Sequence, residues 1–500
     1  MKKYITILSV LAASAVFADN EIFTGDQSGK SFIGESHRNS VWDGVIARDT
    51  EFSRYITEYD TTYNSDYTNA SFRNADLTNA SFAGATMNDI DATDAIIKGA
   101  SFYNAKMNDM AILTKTKSYK DKDLSGVDLR IDAFKITKIY IFDFSGFNLT
   151  GAYLCANLYN PDNPNYTNPD GIFKYDDAII LGATMDKIAF RKEQLCSTKS
   201  YKDKMLDGIT VSETNFANID FRGVSLKNTT FSNMNLSNAN FSNANLSGAK
   251  ISWFDQSASR YAEVYSLKNA VFFNADLTNA ELSYGILENV DFRGANMTNT
   301  KIGESVSYKN TIMSDGVIKN FKADPASDIY IRKYTPVENG EIISAKIAEE
   351  DATLNGSRLM LGQGAFFEIT NGKTLTISSE IQIDTDLGGS TIFKVDGNAG
   401  LTFEHGAKLT VNLIGDISEE DAYTFTAMTF EDDARIAGLE DLLKDENLFL
   451  TVLGKKFNGS WDYAIKDNNL LISINVPEPA TVAAIFGALA LVFAAYRRRK

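Results

Sequence analysis

The side chains best suited to chemistry are few in this chain: two histidines, His37 and His405, and two cysteines, Cys155 and Cys196. An imidazole beside a nucleophile would make a general base, and thiolates with imidazoles would hold zinc, but both need partners at short spacing. Here the histidines stand at opposite ends of the chain, and the four residues lack the paired spacing of a zinc finger. The inventory also excludes a three-histidine zinc site, a four-cysteine iron–sulfur ligand set and a disulfide scaffold. No nucleophile elbow, P-loop or dinucleotide fingerprint is present. Each histidine is therefore expected to be a surface or packing residue, with no metal and no cofactor. Carboxylates are plentiful, so an acid/base pair of the glycosidase or lyase type is allowed by composition. The chain carries 65 acidic against 49 basic residues, a net charge of −16, which argues against nucleic acid as partner.

The elements that must position these groups follow a period of five. From Phe72 the series runs Phe72, Leu77, Phe82, Met87, Ala92, Ile97, Phe102, Met107, Ile112, and two residues before each centre stands, in seven cases of nine, an alanine. Apolar residues of a helix would recur at three and four, and those of a half-buried strand at two, so neither fits. The series resumes in shifted phase from Leu124 to Tyr159, from Ile180 to Leu195, from Leu206 to Ile251 (through Phe216, Phe221, Leu226, Phe231, Leu236, Phe241 and Leu246) and from Leu267 to Ile302 (through Phe272 and Leu277). Of 39 centres only Ala92 is not large and apolar.

Stretches such as ADLTNASFAGATM and SNANFSNANLSGA resemble the A-(D/N)-L-x-x consensus of the pentapeptide-repeat family over about residues 68 to 304. The resemblance implies an all-β fold, a right-handed quadrilateral β-helix in which five residues make one side, four sides make a coil, and the two apolar positions point inward. The physics agrees, because a short repeat gains a continuous core only by stacking. Thirty-nine sides make nearly ten coils, a rod about 47 Å long at the strand spacing of about 4.8 Å. Asp76, Asp220, Asp276 and Asp291 fall just before a centre and should point outward along a solvated side. Proline would remove a ladder donor, and all seven prolines lie outside the repeats: Pro161, Pro164 and Pro169 in an excursion loop near 160–175, Pro325 and Pro336 after the last repeat, Pro477 and Pro479 near the C-terminus. The segment TKSYKDK occurs twice, at Thr116–Lys122 and Thr198–Lys204, each time at a phase shift. Both copies read as corner insertions with Tyr119 and Tyr201 packed over the side. Coil spacing sets Cys155 and Cys196 about 10 Å apart, too far for a disulfide unless the loop after Tyr159 shifts the register.

Residues 325–475 lose the five-residue phase and alternate instead, as in Lys373–Ile377, Ile381–Ile383, Lys408–Val411, Tyr423–Thr426 and Leu470–Ile474, between Asn-Gly, Gly-Gly and Asp-Gly turns. This is a second β-rich region, either a β-helix extension or a sandwich, with a short acidic helix near Ile436–Lys444. Residues 19–67 read as a partly irregular N-terminal cap.

The ends address the chain. Lys2 and Lys3, the apolar run Ile5–Phe17 and the small residues Val16 and Ala18 form a secretory signal cleaved between Ala18 and Asp19. At the other end, residues 480–496 are uncharged, about 26 Å of helix and so a short membrane span, followed by the stop-transfer cations Arg497, Arg498, Arg499 and Lys500. Val476-Pro477-Glu478-Pro479, the apolar segment and the arginine cluster together resemble the PEP-CTERM sorting signal of Gram-negative bacteria. The N-terminal signal implies the Sec translocon as a partner, and the sorting resemblance implies exosortase, an inner-membrane intermediate, and delivery to the outer surface or an exopolysaccharide matrix. Loss of the six cations at the two ends would take the net charge from −16 to −22. The expected function is a non-enzymatic structural or interaction protein, with exopolysaccharide or other surface proteins as partners. The alternative is a polysaccharide-active β-helix enzyme with its site on a solenoid face or in residues 325–475. Some pentapeptide proteins mimic DNA, a role that export argues against here.

Overall fold

The structure, a computed structural model, describes residues 21–475 apart from 57–61, 64, 131–141, 156–173, 187–189, 213, 253–265, 284, 325–327, 339, 387, 416–421, 445–446 and 458. The signal-peptidase site, the Pro-rich loop and everything from Val476 onward, including the expected membrane span, lie outside these residues. Among the described residues no helix is long and apolar enough to cross a membrane.

One side of one coil shows how five residues close. Ser71 bridges Val41 in the coil before and Asp91 in the coil after. The Phe72 amide donates to the Asp91 carbonyl at 2.7 Å, and the Ala75 amide to the Phe72 carbonyl at 3.1 Å, which closes a turn. Asn74, the third residue of that turn, has φ +55°, the left-handed value that a type II turn demands and that Asn or Gly tolerates. Phe72 and Ala75 then point inward and are fully buried. The motif recurs with Asn69, Asn79, Gly84, Gly99, Asn104, Asn218, Asn238, Asn243, Asn269 and Asn279 at the same left-handed corner. Aromatic centres stack coil on coil: Phe82 on Phe102 at 5.6 Å, Phe221 on Phe241 at 5.2 Å, Phe241 on Phe272 at 4.6 Å and Phe272 on Phe292 at 4.9 Å. Phe72, Leu77, Phe82, Phe216, Leu226, Phe231, Leu236, Phe241, Leu246, Phe272 and Leu277 are all buried in one continuous core.

The ladder begins earlier than the sequence boundary at 68. Ile22 bridges Val41, Asp26 bridges Ile46 and Ser31 bridges Glu51, so residues 22–54 already form coils rather than an irregular cap. Their inward positions are Phe32, His37, Trp42, Ala47 and Phe52, a five-step series whose apolar signal His37 breaks. A hairpin of Tyr55–Ile56 and Thr62–Tyr63 departs from the coil before the regular repeats resume.

The two copies of TKSYKDK are helical, which corrects the corner-insertion reading. Helices α1 (Ala111–Lys115) and α3 (Lys192–Ser197) lead into the two copies, and α2 (Lys117–Lys120) and α4 (Lys199–Lys202) lie within them. In each, a threonine caps the second helix, Thr116 accepting from the Tyr119 amide and Thr198 from the Tyr201 amide. Where a helix replaces a ladder strand, the coil before it loses an acceptor. A serine hydroxyl supplies one: Ser118 Oγ accepts from the Ile97 amide and Ser200 Oγ from the Ile180 amide, both at 2.9 Å. The tyrosines do lie over the side, with Tyr119 donating to the Asp143 carbonyl at 3.1 Å and Tyr201 to the Asp220 carbonyl at 2.5 Å.

The second region is a β-helix extension and not a sandwich. Its coils have three faces, each a parallel stack. One runs through Ile329–Ile331, Arg358–Leu361, Glu380–Thr385, Lys408–Leu413 and Leu448–Val452; a second through Ala345–Ile347, Phe366–Ile369, Ile392–Val395 and Tyr423–Phe430; a third through Ala352–Leu354, Thr374–Ile377, Gly400–Phe403 and Arg435–Ala437. Alternating residues such as Leu359, Leu361, Ile381, Ile383, Leu409 and Val411 fill a second core. The acidic helix is α5, Leu439–Lys444, and Arg435–Ala437 ahead of it is strand. An antiparallel hairpin, Ser460–Lys466 with Asn469–Asn475, closes the last coil against Tyr423–Phe430.

Candidate functional site

The acidic faces of the first β-helix are built residue by residue from one device. Asp76 accepts from the amide of Thr78 at 3.2 Å and from its hydroxyl at 2.6 Å; Asp276 does the same with Thr278. Asp220 and Asp291 accept from the amides two residues on, those of Arg222 and Arg293. Asparagines at the equivalent place, Asn235, Asn240 and Asn245, hold the amides of Ser237, Ser242 and Ser247. The position before the centre thus fixes the turn that follows it, as Asx turns do. This role was not read from the sequence, where the same carboxylates looked merely solvated; the A-(D/N)-L-x-x spacing itself is the signal.

Electrostatics follow from that geometry. Burial pushes the Asp76 carboxyl up, but hydrogen bonds from Arg48 and Thr78 outweigh it and hold the group below the usual carboxylate range. Asp91 and Asp123 show the same balance, with Thr93 and with Lys98 and Ser125 as donors. For Asp220 the Arg222 guanidinium is the main cause of the lowering. At the corners asparagine amides bridge neighbouring coils, Asn269 to Asn238 and Asn289 to Asn269, each at 3.1 Å.

The candidate chemical residues fall apart in space. His37 is buried at the first coils, its ring nitrogens 2.5 Å from Glu21 and 2.8 Å from Glu35, and it packs against Phe23, Phe32, Trp42 and Tyr67. His405 is exposed on a turn of the second β-helix. Cys196 is a free thiol on α3, its pKa raised by burial. The strand register pairs Cys155 with Asp186.

The most enclosed polar cluster joins the two β-helices. Arg293 and Asp291 are inaccessible, 0% and 1% of their side chains exposed, with Arg293 Nε 3.0 Å and Nη2 2.8 Å from the two carboxylate oxygens. The rest of the guanidinium donates to the carbonyls of Ile343 (3.2 Å) and Arg332 (2.7 Å). It also lies over the rings of Phe273 and Tyr334. Tyr334 donates to Asn274 Oδ1 at 2.5 Å, and Asn274 donates to the Thr335 carbonyl at 2.9 Å. Arg332–Thr335 and Ile343 therefore lie over the outward face of the last pentapeptide coils. Burial of Arg332 among these groups lowers its pKa, and it donates to the Asn269 carbonyl at 3.3 Å. No buried side-chain polar atom of this cluster lacks a partner, so this is a clasp and not an open site.

No curated protein matches the chain. Solved structures similar to it include HetL, a pentapeptide-repeat protein involved in heterocyst differentiation regulation from the cyanobacterium Nostoc sp., at 17% identity and a TM-score of 0.16, over 60% of this chain and 92% of that one. Full-length QnrB1, a plasmid-mediated fluoroquinolone resistance protein, aligns at 16% identity and a TM-score of 0.16, over 56% of this chain and 93% of that one. The family model for pentapeptide repeats matches in eight copies over residues 68–109, 214–252 and 267–305, so the chain carries pentapeptide repeats in these three segments.

Proposed function

We propose that the chain is an exported, non-enzymatic structural or interaction protein of the cell surface or exopolysaccharide matrix, released from an inner-membrane intermediate by exosortase. The observation that carries the structural part is the use made of the outward carboxylates. Asp76, Asp220, Asp276 and Asp291 each hold the backbone of their own turn, so the acidic faces are parts of the scaffold. Export rests on the sequence at the two ends: the signal before Asp19, and Val476-Pro477-Glu478-Pro479 with its apolar segment and terminal cations. In a host carrying exosortase, mass spectrometry of the mature chain should find residue 19 first and the C-terminus near Pro479. Replacing Pro477, Glu478 and Pro479 by alanine should abolish C-terminal trimming; an unchanged mature mass would refute the processing step. Incubation with acidic and neutral glycans should give retention without cleavage, and chain scission would overturn the non-enzymatic reading.

A further inference from the structure

The hairpin that closes the second β-helix leaves one strand over the edge. Leu470, Ile472 and Ile474 are fully buried, because Asn469–Asn475 still lies against the last coil. Ser460–Lys466 is one strand further out. Its register sets Trp461, Tyr463 and Ile465 opposite Ile474, Ile472 and Leu470, so the three share the apolar side of the sheet. Yet Tyr463 is 38% and Ile465 51% exposed. Beside Ile465 opens a cleft of about 460 Å³ whose apolar lining includes Phe430, Ala434, Ile436 and Leu439.

The outer edge of this strand has no neighbour among the described residues, since it is last in its six-stranded sheet. The Tyr463 amide donates to its own Asp462 carboxylate at 2.8 Å, a stopgap for a missing strand. Natural sheets usually blunt such an edge with proline, a bulge or short length. Here seven residues, SWDYAIK, run without any of these, and the charges that also guard edges are two of opposite sign, Asp462 and Lys466.

We propose that this edge is a dimerisation surface, on which the Ser460–Lys466 strands of two copies pair antiparallel about a two-fold axis at Ala464. The sequence of the strand selects a second copy as the occupant, because it is self-complementary about that residue. Asp462 and Lys466 stand two places either side of Ala464, so the pairing sets Asp462 opposite Lys466 of the other copy, twice. It also sets Tyr463 opposite Ile465, twice, an aromatic–β-branched pair on the apolar side. Centring the pairing on Tyr463 would place Asp462 opposite Ala464 and lose both ion pairs. The sheet of one copy then continues into that of the other, as isologous symmetry requires.

The test uses the full chain in one mild detergent throughout, so that association through the apolar C-terminal segment is constant. Sedimentation velocity should find a dimer. Asp462→Lys and Lys466→Asp should each weaken it by roughly tenfold or more through like charges set opposite one another, and the double reversal should restore it. Separately, in a background with Cys155→Ser and Cys196→Ser, a chain carrying Asp462→Cys and another carrying Lys466→Cys should form a disulfide when mixed and oxidised, and neither should do so alone. This second readout stands whether or not the charge variants fold. A monomeric wild type, a dimer indifferent to both charge reversals, or no cross-link in the mixture would each overturn the proposal.

Discussion

The tetrapeptide Asp-Phe-Arg-Gly occurs at 220–223 and again at 291–294, and its two copies form the same ion pair in opposite surroundings. Arg222 and Asp220 are 63% and 49% exposed; Arg293 and Asp291 are sealed under Arg332, Tyr334 and Ile343. Solvent screens the first pair, so Arg222→Leu should leave the urea unfolding transition almost unmoved. Arg293→Leu strands a buried carboxylate and should cost about 3–5 kcal/mol, read as a shift in the urea unfolding transition. Equal costs would refute the clasp. The turn carboxylates predict acid sensitivity. Asp76, Asp91, Asp123 and Asp220 are held below their ordinary range in the fold, so the unfolded chain binds more protons near pH 4. Their stabilisation is complete above the unfolded pKa of about 3.9 and is lost as pH falls through the lower folded values. The thermal midpoint should hold above about pH 5 and drop below about pH 4, and Asp76→Asn should flatten that drop. The spacing of these carboxylates was plain in the sequence. Their role was not, because it depends on the turn two residues on.

Among the elements, the five-residue sides were legible in 68–109, 214–252 and 267–305 since each repeats the same demand, a left-handed corner, a large centre and a small partner, while the centres Ile112 and Leu195 fall in α1 and α3 and Phe134, Ile139 and Tyr159 lie outside the described residues. The helical inserts were not. Four- to six-residue helices are too short to show a period, and the threonine that caps each looks like any polar residue. Their decisive residue is Ser118, or Ser200 in the second copy, which replaces a ladder carbonyl. Ser118→Ala should leave the buried Ile97 amide without an acceptor and cost about 1–3 kcal/mol. Hydrogen exchange should quicken at Ile97 and remain unchanged at Ile180. Exchange unaltered at Ile97 would remove the serine from this role. The N-terminal coils were missed for a related reason: His37 sits inward at a centre, where packing between aromatic rings tolerates it, and breaks the apolar count.

At the scale of the molecule, two β-helices share one stacking principle with different cross-sections. Coil contact is nearest-neighbour, so damage should spread locally. Phe241→Asp buries an unpaired charge between Phe221 and Phe272. Hydrogen-exchange protection should fall across the coils of residues 216–292 and persist in 345–474; uniform loss would show that the two cores fold as a single unit.

The sequence by itself determined the coils. A repeat that satisfies its own turn and offers two apolar side chains has few other ways to bury them, and a duplicated segment such as TKSYKDK folds alike twice because each copy caps its own short helix and meets the same coil geometry on either side. Tertiary structure decided what local spacing cannot encode. It made the alternating strands of 325–475 a three-faced helix and left Ser460–Lys466 overhanging. It gave two identical tetrapeptides different fates. Each outcome depends on which distant segment comes to lie over a face, and that segment carries no mark of its destination in its own few residues.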